Sequence, residues 1–191
     1  ILLLFLSVFC KGQETELILN DSSYIYRSVE EIKAHPERVF RLNLSKQKLD
    51  TFPPEIFECT NLIELDLSKN KIEEIPPQIG RLINLEKLSM ANNGLVHLPK
   101  EIGKLTQLKY LGLNRNILED LPAEIGDLEN LEVFEMWDNE LKDLPDEMGK
   151  LTNLKILEIR GILFTEEQQA RIDNMIVKTA KILMSPACNC K

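Results

Sequence analysis

The chain is 191 residues long and carries a formal net charge of −8, from 31 acidic and 23 basic residues. That balance argues against non-specific nucleic-acid binding, which depends on an excess of Lys and Arg to neutralise phosphates. With 43% hydrophobic residues the chain has enough apolar surface for a continuous core and too much for a disordered acidic tail.

Residues 1–10 read ILLLFLSVFC and run straight into polar KGQETE. Ten residues are too few to cross a bilayer as a helix, which takes roughly 20, so no membrane span is expected. The stretch has the length of a secretory h-region, and Cys10 and Gly12 supply small residues for cleavage after Gly12. The reading is a signal peptide over residues 1–12. The alternatives are an apolar element packed on the fold through Leu2, Leu4 and Leu6, and acylation of Cys10. Bulky Phe9 disfavours the second, so a lipid anchor is not expected.

Residues 13–38 are assigned to an N-terminal cap. Ser28-Val29-Glu30-Glu31 has the form of a capping box, and Pro36 ends the helical stretch that it opens, so a short helix over residues 29–35 is expected. An extended segment at residues 16–19 is expected to precede it.

From residue 39 to 164 one unit recurs. Its anchors are Val39, Leu62, Leu85, Leu108, Leu131 and Leu154, each 23 residues from the last. Apolar residues occur three and five positions on, an amide eight on, and another apolar residue ten on. A Leu-Pro or its equivalent then leads into P-x-x-I-G-x-L, as in Pro99, Ile102, Gly103 and Leu105. A short strand alternates its side chains, so positions three and five point inward. The amides Asn70, Asn93, Asn116 and Asn139, with Gln47 standing in for the first, sit where the chain turns and would leave backbone groups unpaired. The proline opens a helical or 3₁₀ segment, and the glycines, such as Gly103, are expected to let the backbone turn at its end. This is the leucine-rich repeat signature. The predicted fold is an α/β solenoid: a horseshoe with a parallel concave sheet, short convex segments and capping helices at both ends. Cys59 falls where Leu82, Leu105, Leu128 and Leu151 fall, and is expected to be a buried small hydrophobe.

The pattern breaks after Ile159, where Ile162 takes the amide position. Thr165-Glu166-Glu167-Gln168 is a second capping box, and Ile172, Met175 or Ile176, Ala180 and Leu183 recur at helical spacing. A capping helix over residues 165–184 is predicted, with a tail at 185–191 after it. In that tail Cys188 and Cys190 are one residue apart; free thiols, a tight disulfide and a metal site all stay open, and the redox compartment with them.

The phrases LTQLKYLGLNRN, LPKEIGKL and LPAEIGDLENLEVF resemble the 23-residue class of leucine-rich repeat proteins, which includes Ras-pathway scaffolds and plant Ras-group repeat proteins. The leader, the stretch RVFRLNLSKQKLDTFPPEI and the closing Phe164-Thr165-Glu166-Glu167 with Arg171-Ile172 together resemble the exported leucine-rich repeat proteins of pathogenic spirochaetes. The second likeness implies a bacterial exported or surface protein that meets host molecules. The first implies, as the alternative, an intracellular scaffold or regulator of signalling proteins. Neither supplies a catalytic residue or a cofactor.

Register also names the residues that face outward from the strands. Two positions past each anchor lie Arg41, Glu64, Lys87, Tyr110, Val133 and Ile156; four past, Asn43, Asp66, Ser89, Gly112, Glu135 and Glu158. Six past lie Ser45, Ser68, Ala91, Asn114, Trp137 and Arg160. Tyr110, Val133 and Ile156 are expected to align beside Trp137, with Gly112 leaving room next to Tyr110. Glu135, Asp138, Glu158 and Arg160 would form a polar rim. The expected partner is a protein, held on a surface centred on Trp137. Calcium wants six to eight oxygens in a shaped site, which flat rows such as Glu64 and Asp66 do not supply.

Nothing in the sequence points to catalysis. His35 and His97 lack metal-ligand spacing, no Gly-rich phosphate loop or nucleophile elbow occurs, and the glycines are periodic.

Overall fold

The computed structural model describes residues 22–187. The leader, Cys10, the extended segment expected at 16–19, Cys188 and Cys190 lie outside the described residues. Eight short parallel strands form one sheet, ordered as they occur in the chain. They are β1 (Ile25–Tyr26), β2 (Arg41–Asn43), β3 (Glu64–Asp66), β4 (Lys87–Ser89), β5 (Tyr110–Gly112), β6 (Val133–Glu135), β7 (Ile156–Ile159) and β8 (Lys181–Met184). From β2 to β7 every partner is 23 residues away, as in Leu65 with Leu88 and Leu88 with Leu111. Slipping by one residue would turn these leucines out to solvent, so the repeat itself fixes the register.

Between strands the chain returns through 3₁₀ turns such as Pro77–Arg81, Lys100–Lys104 and Ala123–Asp127. Each proline before a turn holds an extended backbone and offers its carbonyl to the isoleucine or, in the last turn, the methionine three residues on, as Pro99 does to the Ile102 N–H at 3.0 Å. The glycines here do not take the left-handed backbone that a glycine turn would use; among the described glycines only Gly161 does, with φ 76°. They are small because neighbouring coils touch. A Cβ on Gly126 would lie 2.3 Å from the Glu147 carbonyl oxygen, and one on Gly103 2.6 Å from that of Glu124.

The amides form a ladder along the core. Asn116 donates through Nδ2 to the carbonyls of Met90 (3.1 Å) and Leu113 (2.8 Å), and its Oδ1 accepts from the Leu95 N–H (3.1 Å). Asn70, Asn93 and Asn139 repeat the pattern. Gln47 does not: its exposed amide donates to the Arg27 carbonyl and so ties β1 to the first coil. A second ladder runs along the far side, where Asn61, Asn84, Asn130 and Asn153 each donate to a carbonyl 24 residues back. The 23-residue spacing of these asparagines is visible in the sequence.

The turn before each core amide is left-handed. Lys46, Lys69, Asn92, Arg115 and Asp138 have φ between 54° and 61°. That geometry costs most residues energy and suits Gly or Asn.

Both ends are closed, and neither cap is helical throughout. Helix α1 (Val29–Lys33) is capped by the Ser28 hydroxyl and buries Ile32, and β1 pairs with β2 ahead of it. Phe52 and Phe57 stack at 5.0 Å in the first coil. At the other end α2 (Glu166–Met175) begins with the expected capping box of Thr165 and Gln168. The predicted helix to residue 184 is corrected: α2 stops at Met175, and residues 181–184 form β8. The edge of β7 would otherwise present unpaired N–H and C=O groups. β8 satisfies them, beginning with Lys181 N–H to the Lys155 carbonyl at 2.8 Å. Ile182 and Met184 pack toward the core, while Lys181 and Leu183 share the outward register of Ile156 and Glu158.

Cys59 is fully buried among apolar neighbours. Burial pushes its thiol up to about 12, so it packs as a small hydrophobe and offers no thiolate nucleophile.

Candidate partner-binding surface

On the concave sheet the outward lane runs Lys87, Tyr110, Val133, Ile156 and then Lys181, on adjacent strands. Tyr110, Val133 and Ile156 are half-buried and contiguous. The next lane runs Ser89, Gly112, Glu135, Glu158 and Leu183. Sequence reasoning misses Lys181 and Leu183 because helical spacing places them on a capping helix; the alternation Lys-Ile-Leu-Met is the signal available.

The aromatic groups are held in place. The Tyr110 hydroxyl donates to Glu135 Oε2 at 2.8 Å. To do so the ring lies across Gly112, where an added Cβ would come within 2.7 Å of the hydroxyl oxygen. The space beside Tyr110 is thus filled by the tyrosine itself. Burial first, then the bond to Glu135, then the charges of Glu135, Asp66 and Glu158 drive the phenol well above its ordinary range. On the other flank the Lys87 ammonium sits 5.4 Å from the ring centroid.

Trp137 is half-buried rather than bare. The Arg115 guanidinium lies over its indole at 4.7 Å, and the Arg115 N–H donates to the Trp137 carbonyl at 2.9 Å. Arg115 Nε also lies 3.8 Å from Asp138 Oδ2, so Trp137, Arg115 and Asp138 form one unit across two coils. Register reasoning does not put Arg115 on this surface. Its left-handed turn aims it sideways over the neighbouring coil, which strand alternation does not describe. Arg160 pairs with Glu158, whose side chain is only 12% exposed, through an Nε bond of 2.8 Å. All eight residues expected at the surface therefore fall on β5 to β7 or the turns after those strands, and they form two clusters. One is Tyr110, Glu135, Val133 and Ile156; the other is Trp137 and Asp138, with Arg160 and Glu158 on the far edge.

Among the described residues no three His, Cys, Asp or Glu side chains gather to hold a metal. His97 faces Asp120 at 3.0 Å on the exposed flank, and His35 lies beside Glu37, away from the concave lanes. No described helix is long and apolar enough to cross a membrane.

Two family models match overlapping parts of the sequence, a leucine-rich repeat region over residues 92–176 and a leucine rich repeat over residues 37–95. This chain is a leucine-rich repeat protein. Repeat solenoids of this type build extended concave surfaces that serve in binding. No curated protein sequence matches it. A solved leucine-rich repeat protein of Leptospira interrogans is similar, with 31% identity over 87% of this chain and a TM-score of 0.65. So is the ectodomain of the plant receptor kinase GASSHO1/SCHENGEN3 from Arabidopsis thaliana, solved in complex with Casparian strip integrity factor 2. It shows 33% identity over 76% of this chain and a TM-score of 0.62. The leucine-rich repeat chain spans 49% of the Leptospira protein and 18% of the plant ectodomain. Internalin C2 of Listeria monocytogenes shares the fold, with a TM-score of 0.69 at 18% identity over 83% of this chain and 66% of its own.

Proposed function

We propose that this leucine-rich repeat chain is an exported or surface-associated module that holds a protein partner on the C-terminal half of its concave face. The observation that carries this is the contiguous lane of Tyr110, Val133 and Ile156, flanked by Trp137 and bounded by Glu135, Asp138, Glu158 and Arg160. Aromatic anchors inside a polar rim are the usual composition of an energetic centre in an interface. Here the anchors are fixed before binding, by Glu135 and Gly112 for Tyr110 and by Arg115 for Trp137. Less ordering entropy then opposes association. Export rests on the apolar leader at residues 1–10 and on the likeness to the spirochaete protein.

The test is a pull-down with the chain, then titration of any captured protein against Trp137→Ala and Val133→Asp. Each should weaken saturable binding by about 2 kcal/mol or more, roughly 30-fold, without unfolding the chain. Unchanged affinity in both variants would exclude this surface for that partner. Recovery of the chain from the cytoplasmic fraction with residues 1–12 intact would exclude export.

A further inference from the structure

The rim of the horseshoe, where each coil leaves its strand, is charged unevenly. Seven and nine positions past the anchors lie Lys46 and Lys48, then Lys69 and Lys71, in the first two coils. The same positions later hold Asn92 and Gly94, Arg115 and Ile117, Asp138 and Glu140. All four lysines are exposed, and none makes an ion pair with a described carboxylate. Elsewhere the chain pairs charges between neighbouring coils as a rule: Glu58 with Arg81, Glu86 with Lys109, Glu119 with Lys142, Glu132 with Lys155. On this rim it stacks like charges on coils about 4.8 Å apart, which opposes folding.

The backbone makes the choice more pointed. Lys46, Lys48 and Lys69 have φ of 61°, 60° and 59°. At the equivalent of Lys46 and Lys69 the chain itself uses the better-suited Asn92 and Gly161, both left-handed. Lysine is therefore placed here against both backbone preference and mutual repulsion. The main chain beneath is fixed, since the N–H groups of Lys46, Lys69 and Lys71 donate to Ser68, Ala91 and Leu49 at 3.0, 2.8 and 2.8 Å. Four exposed lysines thus stand on a rigid base, none of them in an ion pair with a described carboxylate.

We infer that this rim is a second binding site, for an acidic segment of a partner protein. The width of the patch favours that occupant. Asp50, Glu73 and Glu74 come next on the same two coils and are exposed, so carboxylates bound the positive strip on that side and keep it narrow. A membrane plane or a nucleic-acid duplex laid here would meet those carboxylates, in a protein already at −8. The site shares no residue with the Tyr110–Trp137 surface, so the two readings fail separately.

The test uses the full chain and a fluorescein-labelled peptide of alternating Glu and Ser, read by anisotropy at low salt. Vesicles of phosphatidylserine and phosphatidylcholine and a DNA duplex serve as competing probes. The double variant Lys46→Asn with Lys69→Asn removes two charges and relieves two left-handed lysines. It should bind the peptide about tenfold more weakly or worse while its thermal midpoint rises. Lys100→Gln with Lys104→Gln removes the same charge from the convex side and should bind as the parent does. Wild-type binding should also fall toward roughly 0.15 M salt, where the screening length is about 8 Å. Four results would each overturn the assignment. These are no saturable peptide binding by the parent, equal loss in both double variants, tighter binding to vesicles or duplex than to peptide, and a lowered midpoint in the asparagine variant.

Discussion

Replacing Gly112 with Ala tests whether the concave anchor is set by the fold. The added Cβ would come within 2.7 Å of the Tyr110 hydroxyl oxygen, 3.0 Å of Cε1 and 3.1 Å of Cζ. All three atoms belong to the far end of one side chain, so the ring swings away and the backbone stays. The 2.8 Å bond to Glu135 is then lost. A hydrogen bond to a charged group contributes about 1.5–3 kcal/mol when desolvated, and these partners are half-buried, so about 1–2 kcal/mol is the realistic loss. Alanine in a strand returns about 0.5–1 kcal/mol over glycine, leaving a small net destabilisation.

The sharper readout is the phenol. In the parent, the folded state keeps Tyr110 protonated above the ordinary tyrosine range, so the stability it contributes is present below that range and lost as pH rises through it. In Gly112→Ala its ionisation should fall back toward about 10, visible in an alkaline absorbance titration of the three tyrosines. Tyr110→Phe should destabilise the parent but cost little more on the Gly112→Ala background, because the bond is already gone. An unchanged titration together with a plain glycine-to-alanine gain in thermal midpoint would refute the reasoning.

Three further outcomes rest on the same contacts. Asn116→Ala leaves the Leu95 N–H unpaired in the core and takes one of two donors from the Met90 and Leu113 carbonyls, which keep Asn93 and Asn139; it should cost about 1–3 kcal/mol in chemical denaturation, and no measurable loss would mean that the ladder is redundant. For Cys59, whose thiol is raised from 9.0 to about 12, stability is present below pH 9 and lost as pH climbs toward 12, by about 1.4 kcal/mol per pH unit. Cys59→Ala should flatten that alkaline decline, and an identical pH profile in both proteins would show that the thiol does not control it. Arg115→Ala uncovers the single tryptophan, Trp137, so its emission should shift to the red and acrylamide quenching should increase; an unchanged spectrum would place the guanidinium elsewhere.

The sequence by itself determined the coil. A 23-residue period with leucines three and five positions past the anchor admits one register, because any slip exposes every leucine at once. The buried asparagines, the inward Cys59 and the outward row of Tyr110, Val133 and Ile156 were legible for the same reason: all repeat, and repetition is a property of the chain. What only the tertiary structure decided is whatever the period does not reach. Residues 181–184 became β8 because the open edge of β7 offered backbone partners that helical spacing cannot reveal. The periodic glycines proved small for the sake of the next coil, and left-handed φ fell on lysines and on Arg115, which swings over Trp137. Each is a contact between coils rather than along the chain, set by distances between segments that the order of residues does not encode.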